Sequence, residues 1–146
     1  MTKKSQPVQQ LTFYAVESES TLKYKFIGVV KAGFPSPAGD FMNESIDLNK
    51  YVTLHPAATF YARANGMSME GDINDGDLLV IDKSITASDG KIAICYIDGE
   101  FTVKRIKTDT EGIWLMPTNE RFKSILVTES NDLRIWGVVT FVLKKV

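Results

Sequence analysis

The chain has 146 residues, of which 44% are hydrophobic and 24% are charged, and its formal net charge is −1. These values are typical of one globular domain with its own core, and they argue against DNA binding through phosphate neutralisation. No apolar run approaches the ~20 residues of a membrane span, and no apolar segment of a secretory signal follows the basic N-terminus. Because Cys95 is the only cysteine and His55 the only histidine, we expect a cytoplasmic protein without disulfide, metal or cofactor.

The first part of the chain differs from the rest in charge. Residues 1–39 hold five lysines against two glutamates. Residues 10–16 and 22–30 show short strand-like patterns, which neither segment can bury alone. We expect them to form an N-terminal strand pair on the main domain. The Gly- and Pro-rich residues 32–39 that follow are typical of an exposed, protease-sensitive linker.

The next segment holds the single histidine. Residues 47–51 predict one helical turn, and Pro56 prevents His55 from continuing a helix. No charged residue lies at a helical or strand spacing from His55. We therefore interpret His55 as a surface or packing residue rather than a catalytic one.

The remaining chain is a series of short strands separated by turns. Strand-like patterns occupy residues 59–63, 78–81, 91–97, 100–106, 113–116, 125–128 and 133–143. Asp98-Gly99 separates two of them and predicts a hairpin with a type I′ turn. Few segments show a period of 3.6 residues. The predicted fold class is therefore mostly β, with a closed or sandwich-like sheet that protects its edges.

A candidate nucleophile follows the strand at residues 59–63. In Gly66-Met67-Ser68-Met69, Ser68 lies where backbone N–H groups can bind a substrate carbonyl, so the segment can supply a nucleophile and an oxyanion hole. Taken alone, such a motif more often marks an ordinary turn, and a serine needs a base. Cys95, the other possible nucleophile, lies inside a predicted strand without a nearby base, which is typical of a buried structural thiol.

The predicted hairpin supplies a candidate base. A two-residue turn places Cys95 opposite Thr102 and Ala93 opposite Lys104, so Lys104 shares a face with Thr102 and Ile106. If that face is buried, desolvation lowers the pKa of the lysine, and a neutral amine beside a hydroxyl can act as a general base. Spacing alone favours the alternative, a solvated strand lysine.

Four ordered segments resemble one known family, the self-cleaving LexA/UmuD group of serine–lysine peptidases, and UmuD-type mutagenesis proteins of the bacterial SOS response in particular. The segments are Gly33-Phe34-Pro35-Ser36-Pro37-Ala38, His55-Pro56-Ala57-Ala58-Thr59-Phe60, Gly66-Met67-Ser68-Met69 with Asp75-Gly76-Asp77-Leu78-Leu79-Val80, and Asp98-Gly99-Glu100-Phe101-Thr102-Val103-Lys104-Arg105. The resemblance extends from Gly33 to the C-terminus.

The resemblance implies a role for each matching residue. Ser68 matches the nucleophile and Lys104 the general base. Ala32-Gly33 matches the scissile bond, and the backbone N–H groups of Ser68 and Met67 match the oxyanion donors. It also implies a division into a removable arm, residues 1–32, and a LexA/UmuD-like β peptidase and partner-binding domain, residues 33–146.

The function implied by the resemblance is an autoproteolytic serine endopeptidase of the DNA-damage response. A RecA–single-stranded-DNA filament would trigger cleavage, and the UmuD'-like product, a homodimer, would join a UmuC-type subunit in an error-prone translesion DNA polymerase. No direct sequence-specific DNA binding is expected, since the arm is too short for the helix-turn-helix domain of LexA repressors. Two alternatives stay open: a non-catalytic partner-binding β domain of the same fold, and a LexA-like or signal-peptidase-like Ser–Lys protease.

Overall fold

The computed structural model describes residues 11–15, 24–25 and 45–146. The expected arm boundary at residue 32 and the bond between Ala32 and Gly33 lie outside the described residues. None of the helices in the described ranges is both long and apolar enough to cross a bilayer.

Strands dominate the described residues, which confirms the mostly β fold class. The strands are β1 (Leu11–Ala15), β2 (Tyr24–Lys25), β3 (Ser45–Ile46), β4 (Thr59–Ala64), β5 (Leu78–Asp82), β6 (Ile92–Ile97), β7 (Glu100–Asp109), β8 (Gly112–Met116), β9 (Ile125–Leu126) and β10 (Arg134–Leu143). One short α-helix, α1 (Leu48–Val52), and a 3₁₀ turn at Pro56–Ala58 connect β3 to β4. The predicted helical turn is confirmed, and the Asp47 side chain caps it by accepting a hydrogen bond from the Lys50 N–H.

Eight strands form one antiparallel sheet in the order β1-β4-β5-β10-β6-β7-β8-β9, and β2 pairs with β3 in a separate ribbon. Among the described residues, β1 and β2 do not pair with each other, in contrast to the expected N-terminal strand pair. β1 instead lies beside β4, with Leu11 opposite Ala64. There Leu11 and Phe13 pack against the main core cluster, which gives the apolar side of β1 the burial that a two-stranded ribbon would lack.

The central strand β6 is buried on both faces. Ile94 belongs to a core cluster that also includes Ile81 and Val103. Its neighbours Ala93 and Cys95 belong to a second cluster. Because successive side chains of a strand point to opposite faces, the two clusters lie on opposite sides of β6. The middle of β6, from Ala93 to Cys95, is therefore in the protein interior on both sides.

The β6–β7 hairpin has the predicted register. Cys95 lies opposite Thr102 and Ala93 opposite Lys104. Both central residues of the turn have positive φ, 51° at Asp98 and 83° at Gly99, as a type I′ turn requires. Lys104 is thus directed by local turn chemistry to the buried side that contains Ala93 and Cys95.

A tight backbone approach occurs where β10 crosses the core. The pairing of β10 with β6 shifts register between Ile135 and Gly137. A Cβ atom on Gly137 would lie 2.6 Å from Cγ2 of Ile81 on β5. Glycine is therefore required for the close contact between these strands.

Candidate active site

Ser68 lies in the loop that connects β4 to β5. The two ends of this loop are held together, since the Ala64 N–H donates to the Asp77 carbonyl at 2.9 Å and the Gly76 N–H donates to the Ala64 carbonyl at 2.8 Å. Gly66, with φ of 122°, turns the chain out of the strand. Its N–H donates to the Asp75 carboxylate at 2.9 Å. Ser68 thus lies in a loop whose ends are joined by hydrogen bonds, which restrict its conformation.

The serine lies at the boundary between core and surface. Met69 and Ile73 belong to the main core cluster and anchor the loop from below. Met67, on the other side of the serine, is 60% exposed, whereas Ser68 is 4% exposed. The side chains therefore pass from exposed at Met67 to buried at Met69, and the Ser68 hydroxyl lies between the two.

The structure brings Ser68 and Lys104 together across 36 positions of the chain. Nζ of Lys104 lies 2.9 Å from Oγ of Ser68. The same nitrogen lies 2.7 Å from Oγ1 of Thr102 and 3.1 Å from the carbonyl oxygen of Val103. The amine thus has three oxygen partners, of which only the serine lies outside strand β7.

These three partners suit both protonation states of the lysine. A protonated amine has three N–H donors, one for each oxygen. A neutral amine donates its two N–H groups to Thr102 Oγ1 and the Val103 carbonyl, and its lone pair accepts the hydroxyl proton of Ser68. The proton can therefore pass between Ser68 and Lys104 without movement of either side chain.

Burial makes the neutral form of Lys104 accessible. The residue is 6% exposed and shares its face with the buried Ala93, Cys95 and Ile106. Desolvation lowers the pKa of Lys104 from 10.5 to about 8. At pH 7 about one amine in ten is then unprotonated, compared with fewer than about one in a thousand for a solvated lysine. The alternative that Lys104 is a solvated strand lysine is therefore wrong.

Cys95 is a structural thiol, as expected. It is fully buried, and its Sγ donates to the Ala93 carbonyl at 3.7 Å. Burial raises its pKa to about 12, so the sulfur is uncharged at physiological pH. A neutral, buried thiol is a poor nucleophile.

His55 has a charged partner that its sequence spacing did not predict. Its Nδ1 lies 2.5 Å from Oδ2 of Asp82, which is 27 positions away at the end of β5. The imidazole is 55% exposed, in agreement with a surface position. His55 precedes the 3₁₀ turn and Asp82 ends β5, so the two residues meet through the fold, and no helical or strand spacing could predict the pair.

Two further residues contact the site and were not identified as part of it from the sequence. Thr102 accepts a hydrogen bond from Lys104, and its place two residues before the lysine on one strand face was a usable local signal. Asn119 donates from its side chain to the Met67 carbonyl and from its backbone to the Ser68 carbonyl. Its separation of 52 positions from Met67 left no local signal. Among the residues placed by the structure, no group of three or more His, Cys, Asp or Glu could hold a metal ion.

The chain is similar to known proteins over most of its length. The family model described as Peptidase S24-like matches residues 25–140. The chain is 45% identical over 113 residues to Protein MucA of Salmonella typhimurium, covering 76% of this chain and 77% of MucA. It is 39% identical over 130 residues to Protein ImpA of Escherichia coli, covering 87% of each chain. It is 37% identical over 131 residues to the LexA repressor of Acidithiobacillus ferrooxidans, covering 87% of this chain and 63% of that repressor.

Proposed function

Because this chain belongs to the Peptidase S24-like family, we propose that it is a serine endopeptidase that cuts its own backbone once, between Ala32 and Gly33. The observation that carries this proposal is the 2.9 Å contact between Oγ of Ser68 and Nζ of Lys104, together with the burial that lowers the pKa of the amine. Acyl transfer to a serine requires a nucleophile in contact with a base, and the pKa of that base must lie close to neutral pH.

The proposed first step transfers the Ala32 acyl group to the serine. Neutral Lys104 takes the proton from Ser68 as the hydroxyl oxygen attacks the carbonyl carbon of Ala32. The backbone N–H groups of Ser68 and Met67 stabilise the negative oxygen of the tetrahedral intermediate. The bond from Ala32 to the nitrogen of Gly33 then breaks, and the Lys104 ammonium returns its proton to that nitrogen. The product is an ester between Ala32 and Ser68.

The second step releases the arm. Water attacks the ester carbon while Lys104 accepts one of its protons. The carbon–oxygen bond to Ser68 breaks, and the serine oxygen regains the proton from Lys104. Residues 1–32 leave with a new carboxylic acid, which releases its proton to solvent. In residues 33–146, Ser68 is again a hydroxyl and Lys104 a neutral amine, so the Ser68–Lys104 dyad is restored.

Removal of the arm would change one edge of the sheet. β1 belongs to the arm, lies against β4, and buries Leu11 and Phe13 on the main core cluster. The Phe13 ring also contacts Trp136 and Phe101, with ring centroids 4.7 Å and 5.3 Å apart. Loss of β1 would uncover the backbone of β4 and this aromatic surface, and both are features that bind partners.

This change fits a switch that creates a binding subunit. We propose that the chain acts in the SOS response, that a RecA–single-stranded-DNA filament triggers the cut, and that the trimmed homodimer joins a UmuC-type subunit in a translesion polymerase. The family membership supports these partners. The edge position of β1 supports the idea that cleavage alters a partner surface.

Self-cleavage can be tested with the purified chain. Incubation at about pH 10, where the amine is neutral, should remove residues 1–32, as followed by intact mass. Ser68→Ala and Lys104→Ala should abolish the cut. Lys107→Ala is a matched control, since Lys107 lies on the same strand with an exposed side chain, and it should cleave at the wild-type rate.

Other results would contradict parts of the proposal. An unchanged rate in Lys104→Ala would remove the base assignment. A full-length protein that stays intact at pH 10 and with RecA filaments and nucleotide would favour a non-catalytic partner-binding domain. Cleavage of added peptides without self-cleavage would favour a signal-peptidase-like enzyme.

A further inference from the structure

One residue outside the dyad holds the two peptide groups that flank Ser68. The side-chain Nδ2 of Asn119 donates to the Met67 carbonyl at 3.1 Å. The backbone N–H of Asn119 donates to the Ser68 carbonyl at 3.0 Å. Asn119 thus binds two successive carbonyl groups, those of Met67 and Ser68, in the loop between β4 and β5, here called the nucleophile loop.

The orientation of the Asn119 amide follows from its partners. Its Oδ1 accepts a hydrogen bond from the Arg121 N–H at 3.1 Å, so the NH₂ group faces Met67. The Met67 carbonyl also accepts from the Glu70 N–H at 3.0 Å. Both lone pairs of this oxygen are then used, which fixes its direction.

A fixed Met67 carbonyl determines where the Ser68 N–H points. In a trans peptide the C=O and N–H bonds of one unit point in opposite directions, and the described residues contain no cis peptide. The bonds from Asn119 and Glu70 to the Met67 carbonyl therefore together set the direction of the Ser68 N–H. This N–H is one of the two oxyanion donors in the proposed reaction.

The segment that carries Asn119 is itself tied to both halves of the dyad. Oγ1 of Thr118 donates to the Asp72 carboxylate at 2.6 Å, and Asp72 belongs to the nucleophile loop. The guanidinium of Arg105, the residue after Lys104, donates to the same oxygen at 3.1 Å. Asn119 is therefore positioned relative to the base strand as well as to the serine.

We propose that Asn119 is a positioning residue that directs the Ser68 N–H at the carbonyl oxygen of the bound substrate. The inference rests on the proposed self-cleavage. Without the Asn119 side-chain bond, only the Glu70 N–H holds the Met67 carbonyl, so the peptide between Met67 and Ser68 gains rotational freedom and the developing oxyanion loses part of its stabilisation. Loss of a whole oxyanion donor lowers catalysis by about 10²–10³-fold, so a misdirected donor should cost about 10–100-fold.

The sharpest test is Asn119→Asp. The aspartate keeps the side-chain shape, an oxygen for the Arg121 N–H and the backbone bond to Ser68, but it places an acceptor against the Met67 carbonyl. We expect self-cleavage to slow about 10–100-fold at every pH. The pH midpoint of the rate should stay near the wild-type value, because the partners of Lys104 are unchanged.

Asn74→Asp is the matched control. Asn74 borders the same surface pocket as Asn119, is exposed, and uses its Oδ1 to accept from the Gly71 N–H. The substitution adds the same charge and retains that acceptor. It should leave the rate of self-cleavage unchanged, and a loss equal to that of Asn119→Asp would attribute the effect to charge and overturn the inference.

The remaining outcomes separate the inference from the proposed function. Asn119→Ala removes the donor without repulsion and should slow cleavage less than Asn119→Asp. If urea unfolding shows that Asn119→Asp is not folded, the cleavage rate of Asn119→Ala tests the role of Asn119 instead. A folded Asn119→Ala that cleaves at the wild-type rate overturns the inference alone. A shifted pH midpoint with an unchanged plateau also overturns it, since Asn119 would then act on Lys104. A wild-type chain that never cleaves overturns the proposed function and this inference together.

Discussion

Lys104 lies directly opposite Ala93 in the β6–β7 hairpin, and both residues are buried. A methyl group across the ladder leaves room for the lysine side chain but offers its charge no solvation. The amine can find oxygen partners only at its tip, where Ser68, Thr102 and the Val103 carbonyl meet it. This relationship connects the strand register to the chemistry of the site.

The rate of self-cleavage should depend on pH through the lysine. Because only the neutral amine can accept the serine proton, the rate should rise as pH increases through the pKa of Lys104, about 8, and level off above it. Rates measured by intact mass from about pH 6 to about pH 10 would test this. A rate that is constant across this range would contradict a lysine base.

Thr102→Val should move that midpoint. The valine keeps the branched shape but removes an oxygen 2.7 Å from the amine. A hydrogen bond to a charged group contributes about 1.5–3 kcal/mol, so its loss should lower the pKa of Lys104 by about one unit. The plateau rate should also fall, since the amine is less well oriented. A midpoint displaced to higher pH would contradict this role of Thr102.

The lysine should reduce the stability of the fold below its pKa. In the folded chain its pKa is about 8, and the ordinary pKa of a lysine is 10.5, so the unfolded chain binds more protons between these values. The contribution of the lysine to stability is therefore complete above about pH 10.5 and is lost as pH falls through about 8. In a Ser68→Ala background that prevents cleavage, Lys104→Met should be more stable than its parent at pH 7.

The same comparison at alkaline pH supplies the control. The advantage of Lys104→Met in urea unfolding should shrink by about 3 kcal/mol between pH 7 and about pH 10.5, because 1.36 kcal/mol corresponds to each pKa unit. Other titrating groups are common to both chains and cancel in the difference. An advantage that does not change with pH would show that the lysine is not desolvated.

Gly137→Ala should destabilise the sheet through Ile81. The added Cβ would meet Cγ2 of Ile81 at 2.6 Å, and such overpacking typically costs about 1–3 kcal/mol. Ile81→Ala alone should cost about 2–5 kcal/mol by leaving a cavity. The double variant should lose less than the sum of the two, since each change relieves the other, and urea unfolding of all four chains measures this coupling. Strict additivity would contradict the contact.

The hairpin and most of the strands were predictable from the sequence. Asp98-Gly99 fixed the turn type, and the turn fixed the register that places Lys104 beside Thr102 and opposite Ala93. These features depend on residues close together in the chain, and turn chemistry and strand alternation operate at that range. The motif around Ser68 alone resembled an ordinary turn, and it was identified only through the family resemblance of four segments.

Tertiary structure decided which of these residues meet. The strand order of the sheet determines three contacts. These are the contact of Ser68 with Lys104, the hydrogen bonds from Asn119 to the loop between β4 and β5, and the pairing of His55 with Asp82. The same order places β1 at the edge of the sheet beside β4, whereas the sequence predicted an N-terminal strand pair. Local patterns determine the direction in which a side chain points, but burial of the lysine requires residues from distant segments on the side of the sheet that contains Ala93 and Cys95. The low pKa of Lys104 is therefore a property of the assembled sheet, although the sequence alone determined where that lysine would point.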